Sequence, residues 1–126
     1  MLLPLLALAL AAPATAAAAQ DSQAADVTCV AVLGAIVNTV PEAQRPGVLA
    51  GTMYYVGRID GREPGFDLQK AILATLPSDE AGLNAFVKQH TPRCGSQLQD
   101  NAKRLASVGN AVQARAKTGG AAPKGR

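Results

Sequence analysis

Three features of this 126-residue sequence predict an all-α fold, a small bundle of four to five helices with one disulfide joining the first and last helices. Apolar side chains recur at three- and four-residue spacing through most of the chain. Prolines fall at the boundaries between those runs, where they stop helices rather than interrupt them. The two cysteines, Cys29 and Cys94, stand near opposite ends of the patterned region.

Residues 1–19 read as a signal peptide. Leu2 to Ala12 is a short apolar run, and Ala14-Thr15-Ala16 and Ala17-Ala18-Ala19 offer small residues for cleavage, expected near Ala19. The rival is a retained membrane anchor, but the run is Ala-rich, carries Pro4 and Pro13, and barely reaches the roughly 20 residues of a span. Asp26-Val27-Thr28 before Cys29 lacks the small and aliphatic residues of a lipid-attachment site. Cleavage leaves about 107 residues, one domain with a thin core, in a periplasmic or secreted location. Export puts the cysteines where thiols oxidise, and an even count without C-x-x-C points to a structural bond rather than a redox or metal site. Closing a loop of some 65 residues contributes about 4 kcal/mol.

The polar stretch 20–25 reads as a flexible leader and 26–116 as the helical domain. Asp26 can cap a first helix over Val27 to Thr39, with Val27, Val30, Leu33, Val37 and Val40 as its apolar face and Cys29 at the edge. Pro41 to Pro46 is a connection with room for one helical turn. A second helix follows over Gly47 to Ile59, with Leu49, Met53, Val56 and Ile59 inward and Gly47 and Gly51 permitting a close crossing. Gly61 is placed as its C-cap. Phe66, Leu68, Ile72, Leu73 and Leu76 support a third helix over Asp67 to Thr75, which Pro77 closes. Ser78 caps a fourth, with Leu83, Phe86 and Val87 as its face. Thr91-Pro92 ends it. A fifth begins at Arg93, where Cys94, Leu98, Leu105, Val108 and Val112 keep a heptad-like rhythm interrupted by Asn101 and pack on the first helix through the disulfide. That rhythm is too short and too polar to argue a coiled-coil dimer. Residues 117–126 are a basic Gly-, Ala- and Pro-rich tail, expected to be disordered.

Two stretches carry the functional expectations. If Met53 and Val56 face the core, Tyr54 and Tyr55 cannot both do so, and at least one hydroxyl stays wet. Tyr54, Tyr55, Arg58 and Asp60 then form a candidate binding surface, or else the tyrosines cover the edge of the core. The second stretch is basic. Residues 20–87 sum to a formal charge of −4 and residues 88–126 to +7. Lys88, Arg93, Lys103, Arg104 and Arg115 make a candidate basic face, suited to an anionic membrane surface, an envelope polymer or an acidic partner, or else a solvated surface with a solubilising tail. Nucleic acid is excluded as a partner by export and by the lack of aromatic residues among the charges.

Catalysis needs convergent groups, and the sequence supplies few. His90 is the lone histidine, Asp79 and Glu80 fit a capped helix start, and no phosphate loop or dinucleotide fingerprint is present. The expectation is a protein that is not an enzyme and uses no metal or cofactor.

A cysteine in the first helix and a second in the late segment Pro92-Arg93-Cys94 of an exported helical domain resemble the HdeA-type acid-stress chaperones of the bacterial periplasm, loosely over Thr28 to Leu105. That resemblance implies unfolded clients and opening in acid. Tyr54-x-x-Gly57-x-x-Asp60, Leu83-x-x-Phe86-Val87 and Thr91-Pro92 also look like the periplasmic immunity proteins of the Rap/Tai type, which implies one specific protein partner held by a rigid surface.

Overall fold

The computed structural model describes residues 14–119. Helix α1 (Ala14–Ile36) is followed by a 3-10 turn (Glu42–Gln44) and by α2 (Arg45–Arg62), α3 (Leu68–Thr75) and α4 (Glu80–Lys117). No strand occurs among the described residues. The fold is the all-α bundle expected, and a disulfide between Cys29 and Cys94 ties α1 to α4. The apolar half of the expected signal peptide and most of the expected tail, from residue 120, lie outside the described residues.

Helix α1 is the axis of the bundle: α2, α3 and α4 each pack on it. Asp26, Val27 and the run Cys29, Val30, Ala31, Val32, Leu33 are all buried. The single apolar face expected for this helix is therefore too narrow a description. A helix enclosed by several neighbours must be apolar on more than one side. It also begins earlier than expected. Residues 20–25, read as a leader, lie inside α1, because the Ala-rich stretch before Asp26 has high intrinsic helix propensity. Gln23 is held there, accepting from Arg62 Nε at 3.0 Å and donating to Glu63 Oε2 at 3.2 Å. The helix stops at Ile36, short of the expected Thr39, as the chain turns toward Pro41.

Helix α2 starts at Arg45 with Pro46 in its first turn, where a missing N–H leaves no bond unmade. It runs antiparallel to α1, since Gln23 meets Arg62, Asp26 meets Arg58, and Leu33 stands beside Gly51. The buried row is Gly51, Tyr55 and Ile59. This corrects the expected face: Leu49 and Met53 are 54% and 67% exposed. Arg58 and Arg62 are drawn to Asp26 on α1, and that attraction fixes the rotation of α2. The close crossing expected at the glycines occurs at Gly51, where an added Cβ would stand 2.6 Å from Leu98 Cδ1. Gly61 is an ordinary helical residue rather than the C-cap. The helix closes at Glu63, and the turn beyond uses Gly65 at φ 84°.

In α3 the Asp67 side chain caps the helix by accepting from Lys70 N at 3.0 Å. Phe66, Leu68 and Ile72 pack toward the core, but Leu73 is 67% exposed. Helix α4 is capped by Asp79 rather than Ser78, with Asp79 Oδ1 accepting from Gly82 N at 2.8 Å. The break expected at Thr91-Pro92 is absent, and the fourth and fifth helices are one helix of 38 residues. An interior proline costs about 3 kcal/mol. Here Cys94 is anchored two residues later by the disulfide, and in the turn before the proline Thr91 Oγ1 donates to Val87 O at 2.7 Å. Arg93 reaches Ala25 O, Cys94 bonds Cys29, and Leu98 joins Leu33 over Gly51, so α4 runs parallel to α1.

The disulfide joins Cα atoms 5.5 Å apart and 65 residues apart in sequence. Replacing both cysteines (Cys29→Ser with Cys94→Ser) should lower unfolding stability by about 4 kcal/mol in urea titrations followed by circular dichroism. A reductant should destabilise the native protein by a similar amount and leave the variant unchanged.

Candidate binding surface

The polar centre of the bundle is Asp26, only 1% exposed on a helix it was expected to cap. Its Oδ2 accepts from Arg58 Nε at 2.9 Å and also from Arg62. A carboxylate held inside a small core needs such partners, because its desolvation is costly unless charge and hydrogen bonds compensate. Arg58 extends the network, with its NH1 donating to the Tyr54 hydroxyl at 3.0 Å and its guanidinium carbon 5.5 Å from the Tyr54 ring centre. The hydrogen bond to Tyr54 is the main reason its pKa is raised, with the charge of Asp26 adding to it and burial opposing.

Tyr55 lies on the other side of α2 from solvent, fully buried. Its hydroxyl donates to Cys94 O at 2.8 Å and stands 3.1 Å from Gln97 Oε1, joining α2 to α4 beside the disulfide. Burial, then the neighbouring Tyr54 and Asp26, push its pKa from 10.0 up to about 12. Among the described residues, no buried side-chain nitrogen or oxygen lacks a hydrogen-bond partner.

The four residues expected to form one binding surface are therefore not brought together on it. Tyr55 is internal, Arg58 turns inward to Asp26, Tyr54 is half-buried at the margin, and Asp60 is exposed on α2 away from the buried row. One tyrosine at the margin and one inside agrees with the expectation that both could not face the core. The basic residues do not share one face either. Arg93, Arg104 and Arg115 recur every eleven residues, about three helical turns, and so lie along one flank of α4; Lys88 and Lys103 project elsewhere. Arg93 is committed to Ala25 O and comes within 3.5 Å of Cys29 Sγ.

The surface that does stand open corrects an expectation: of the row Cys94, Leu98, Leu105, Val108 and Val112 expected to pack on the first helix, Cys94 and Leu98 reach the core and the last three do not. Past Ala102 every residue of α4 to Lys117 is exposed, with Leu105, Val108 and Val112 at 63%, 57% and 63%. Helix α1 has ended at Ile36, so the distal part of α4 overhangs the bundle. Where the overhang leaves α2, a groove of about 270 Å³ opens between Gly47, Ala50 and Tyr54 of α2 and Leu98, Asn101 and Leu105 of α4. A second groove, of about 410 Å³, lies between Gln23 and Val27 of α1 and Phe66, Ala71 and Thr75 near α3.

Sequence reasoning missed Asp26, Arg62 and Gln97. An acidic residue three positions before Cys29 at the head of an apolar run, and two arginines four apart on α2, were the available signals.

His90 packs against Phe86, one turn away on α4, with ring centres 4.7 Å apart and the rings tilted by 56°. Among the described residues no group of three or more His, Cys, Asp or Glu side chains could hold a metal ion, and no helix is long and apolar enough to cross a membrane. Comparison with protein-family models, with curated proteins and with solved structures gave no match.

The Tyr55 phenol ionises more readily in the unfolded chain, at about pH 10, than in the folded one, at about 12. Its contribution to stability is fully present below the lower value and is lost as pH rises through the upper one. Tyrosinate absorbance of the Tyr54→Phe variant should therefore titrate above the ordinary 10.0, and below about 12 because the contribution of Tyr54 is gone, together with loss of helical signal. For Asp26, removing both partners (Arg58→Met with Arg62→Met) should cost about 3–5 kcal/mol in urea unfolding, more than Asp26→Asn, because it strands a buried carboxylate.

Proposed function

We propose that this protein is a small exported, non-enzymatic binding protein of the bacterial periplasm, working as an HdeA-like stress chaperone that holds unfolded clients. The observation that carries this reading is the row Leu105, Val108 and Val112, more than half exposed on the part of α4 that extends beyond the end of α1. Soluble proteins rarely leave a contiguous apolar stripe open without a use for it. The Cys29–Cys94 bond fits an oxidising, exported location.

Acid supplies the condition under which more surface would open. With all nine carboxylates protonated, the twelve Lys and Arg side chains and His90 give a formal charge of +13. Self-repulsion at that charge favours separation of α2 from α1, while the disulfide keeps α4 attached. The immunity-protein reading draws less support, since Tyr55 and Arg58, which it would use to grip one partner, face inward.

The purified mature protein should suppress the aggregation of an unrelated unfolded protein at about pH 2 to 3, measured by light scattering. Replacing Leu105, Val108 and Val112 with serine should weaken that suppression. A protein that remains compact and inactive in acid would sink the chaperone reading.

A further inference from the structure

We infer that the corner between the α4 overhang and the end of the bundle is a seat for one acidic amphipathic helix of another polypeptide. Three observations select this occupant. The first is continuity. Cys94, Leu98, Leu105 and Val112 lie within about 40° of one another around α4, so the stripe that covers α1 through the disulfide runs on past Ile36 with no helix among the described residues beneath it. The open stripe is the position that α1 would fill if it were longer, and a helix fits where a helix has ended.

The second is shape. The stripe faces the side on which the bundle lies. From Leu98 to Val112 is about 21 Å along the axis, and α1 alone is about 10 Å across. A flat surface would meet the bundle first and touch only the tip of α4, which disfavours a membrane. A rod can enter, and the groove between Gly47 and Ala50 of α2 and Leu98 and Leu105 of α4 gives its apolar side a place to lie.

The third is charge. Arg104 and Arg115 border the stripe on one flank, while Asp100 is the only acidic residue from Lys88 onward. A second copy of α4 laid antiparallel in the same corner would bring Arg104 close to its own counterpart, which disfavours self-association. Glutamate or aspartate flanking the apolar row of an incoming helix would instead meet two cations at the rim of a desolvated seam.

This partner class rests on the reading of the chain as a binding protein but not on acid activation. The test uses two labelled amphipathic helical peptides of about 20 residues with the same leucine spacing, flanked by glutamate in one and by lysine in the other. At neutral pH and low salt the glutamate peptide should bind the mature protein about tenfold or more tightly than the lysine peptide, by fluorescence anisotropy, and lose that preference at high salt. Leu105→Ser with Val112→Ser should weaken its binding, and Arg104→Gln with Arg115→Gln should narrow the difference between peptides. All four positions are exposed, so circular dichroism should show native helicity in both variants.

Equal affinity for the two peptides, or binding of neither, overturns the proposal. So does a native dimer in sedimentation equilibrium that the serine variant dissolves, which puts a second copy in the corner. Flotation with phosphatidylglycerol vesicles, lost in the same variant, would assign the stripe to lipid. Selective peptide binding at neutral pH without client protection in acid removes the chaperone reading alone, and the reverse result removes this inference alone.

Discussion

The bond between Cys29 and Cys94 fixes the interior of a 23-residue helix to the interior of a 38-residue one, and much of the molecule follows from that mismatch in length. Running parallel from the bond, α1 ends after seven more residues, whereas α4 continues to Lys117. The overhang is thus a consequence of where the staple sits. The same bond compensates for the small size of the core, which contains few large buried side chains besides Tyr55, Ile59 and Val32. A domain of this length gains a modest free energy from burial alone, and a loop closed over 65 residues is a substantial addition.

Around that staple the rotation of α2 is set by polar groups. Asp26 draws Arg58 and Arg62 to α1, while the Tyr55 hydroxyl reaches Cys94 O on α4. These bonds lie on neighbouring sides of one helix, and together they leave little freedom in its orientation. The consequence is visible in Leu49 and Met53, which remain outside although they are more apolar than the arginines turned inward. A misplaced leucine on the surface forfeits transfer free energy, whereas an unpaired buried carboxylate would cost more.

The proposed function uses both features. In that reading the staple keeps α4 attached when charge repulsion loosens the rest, and the Asp26 centre is what holds α2 to α1 until then. The corner beside the overhang is a different kind of surface, open at neutral pH and bordered by cations. One molecule can thus hold a pre-formed seat for a selective partner and a reserve of covered apolar surface in α1.

Much of the fold was legible in the sequence by itself. Three- and four-residue apolar spacing gave the helices, their polar and proline-bearing boundaries gave the chain order, and two cysteines near opposite ends of the patterned region gave the bond that joins the ends. These signals are local, or require only that two thiols meet. The Pro92 break was misread because propensity weighs a proline against its neighbours, while the structure weighs it against a covalent anchor two residues away and the Thr91 hydroxyl bond. The inward roles of Asp26, Arg58 and Tyr55 were hidden for a related reason: each depends on a group from 32 to 39 residues distant. Composition marked the apolar rhythm from Leu98 to Val112. Only the tertiary structure decided that all of it past Leu98 would be left uncovered, because exposure depends on where α1 stops relative to α4, a relation between two helices that neither contains on its own.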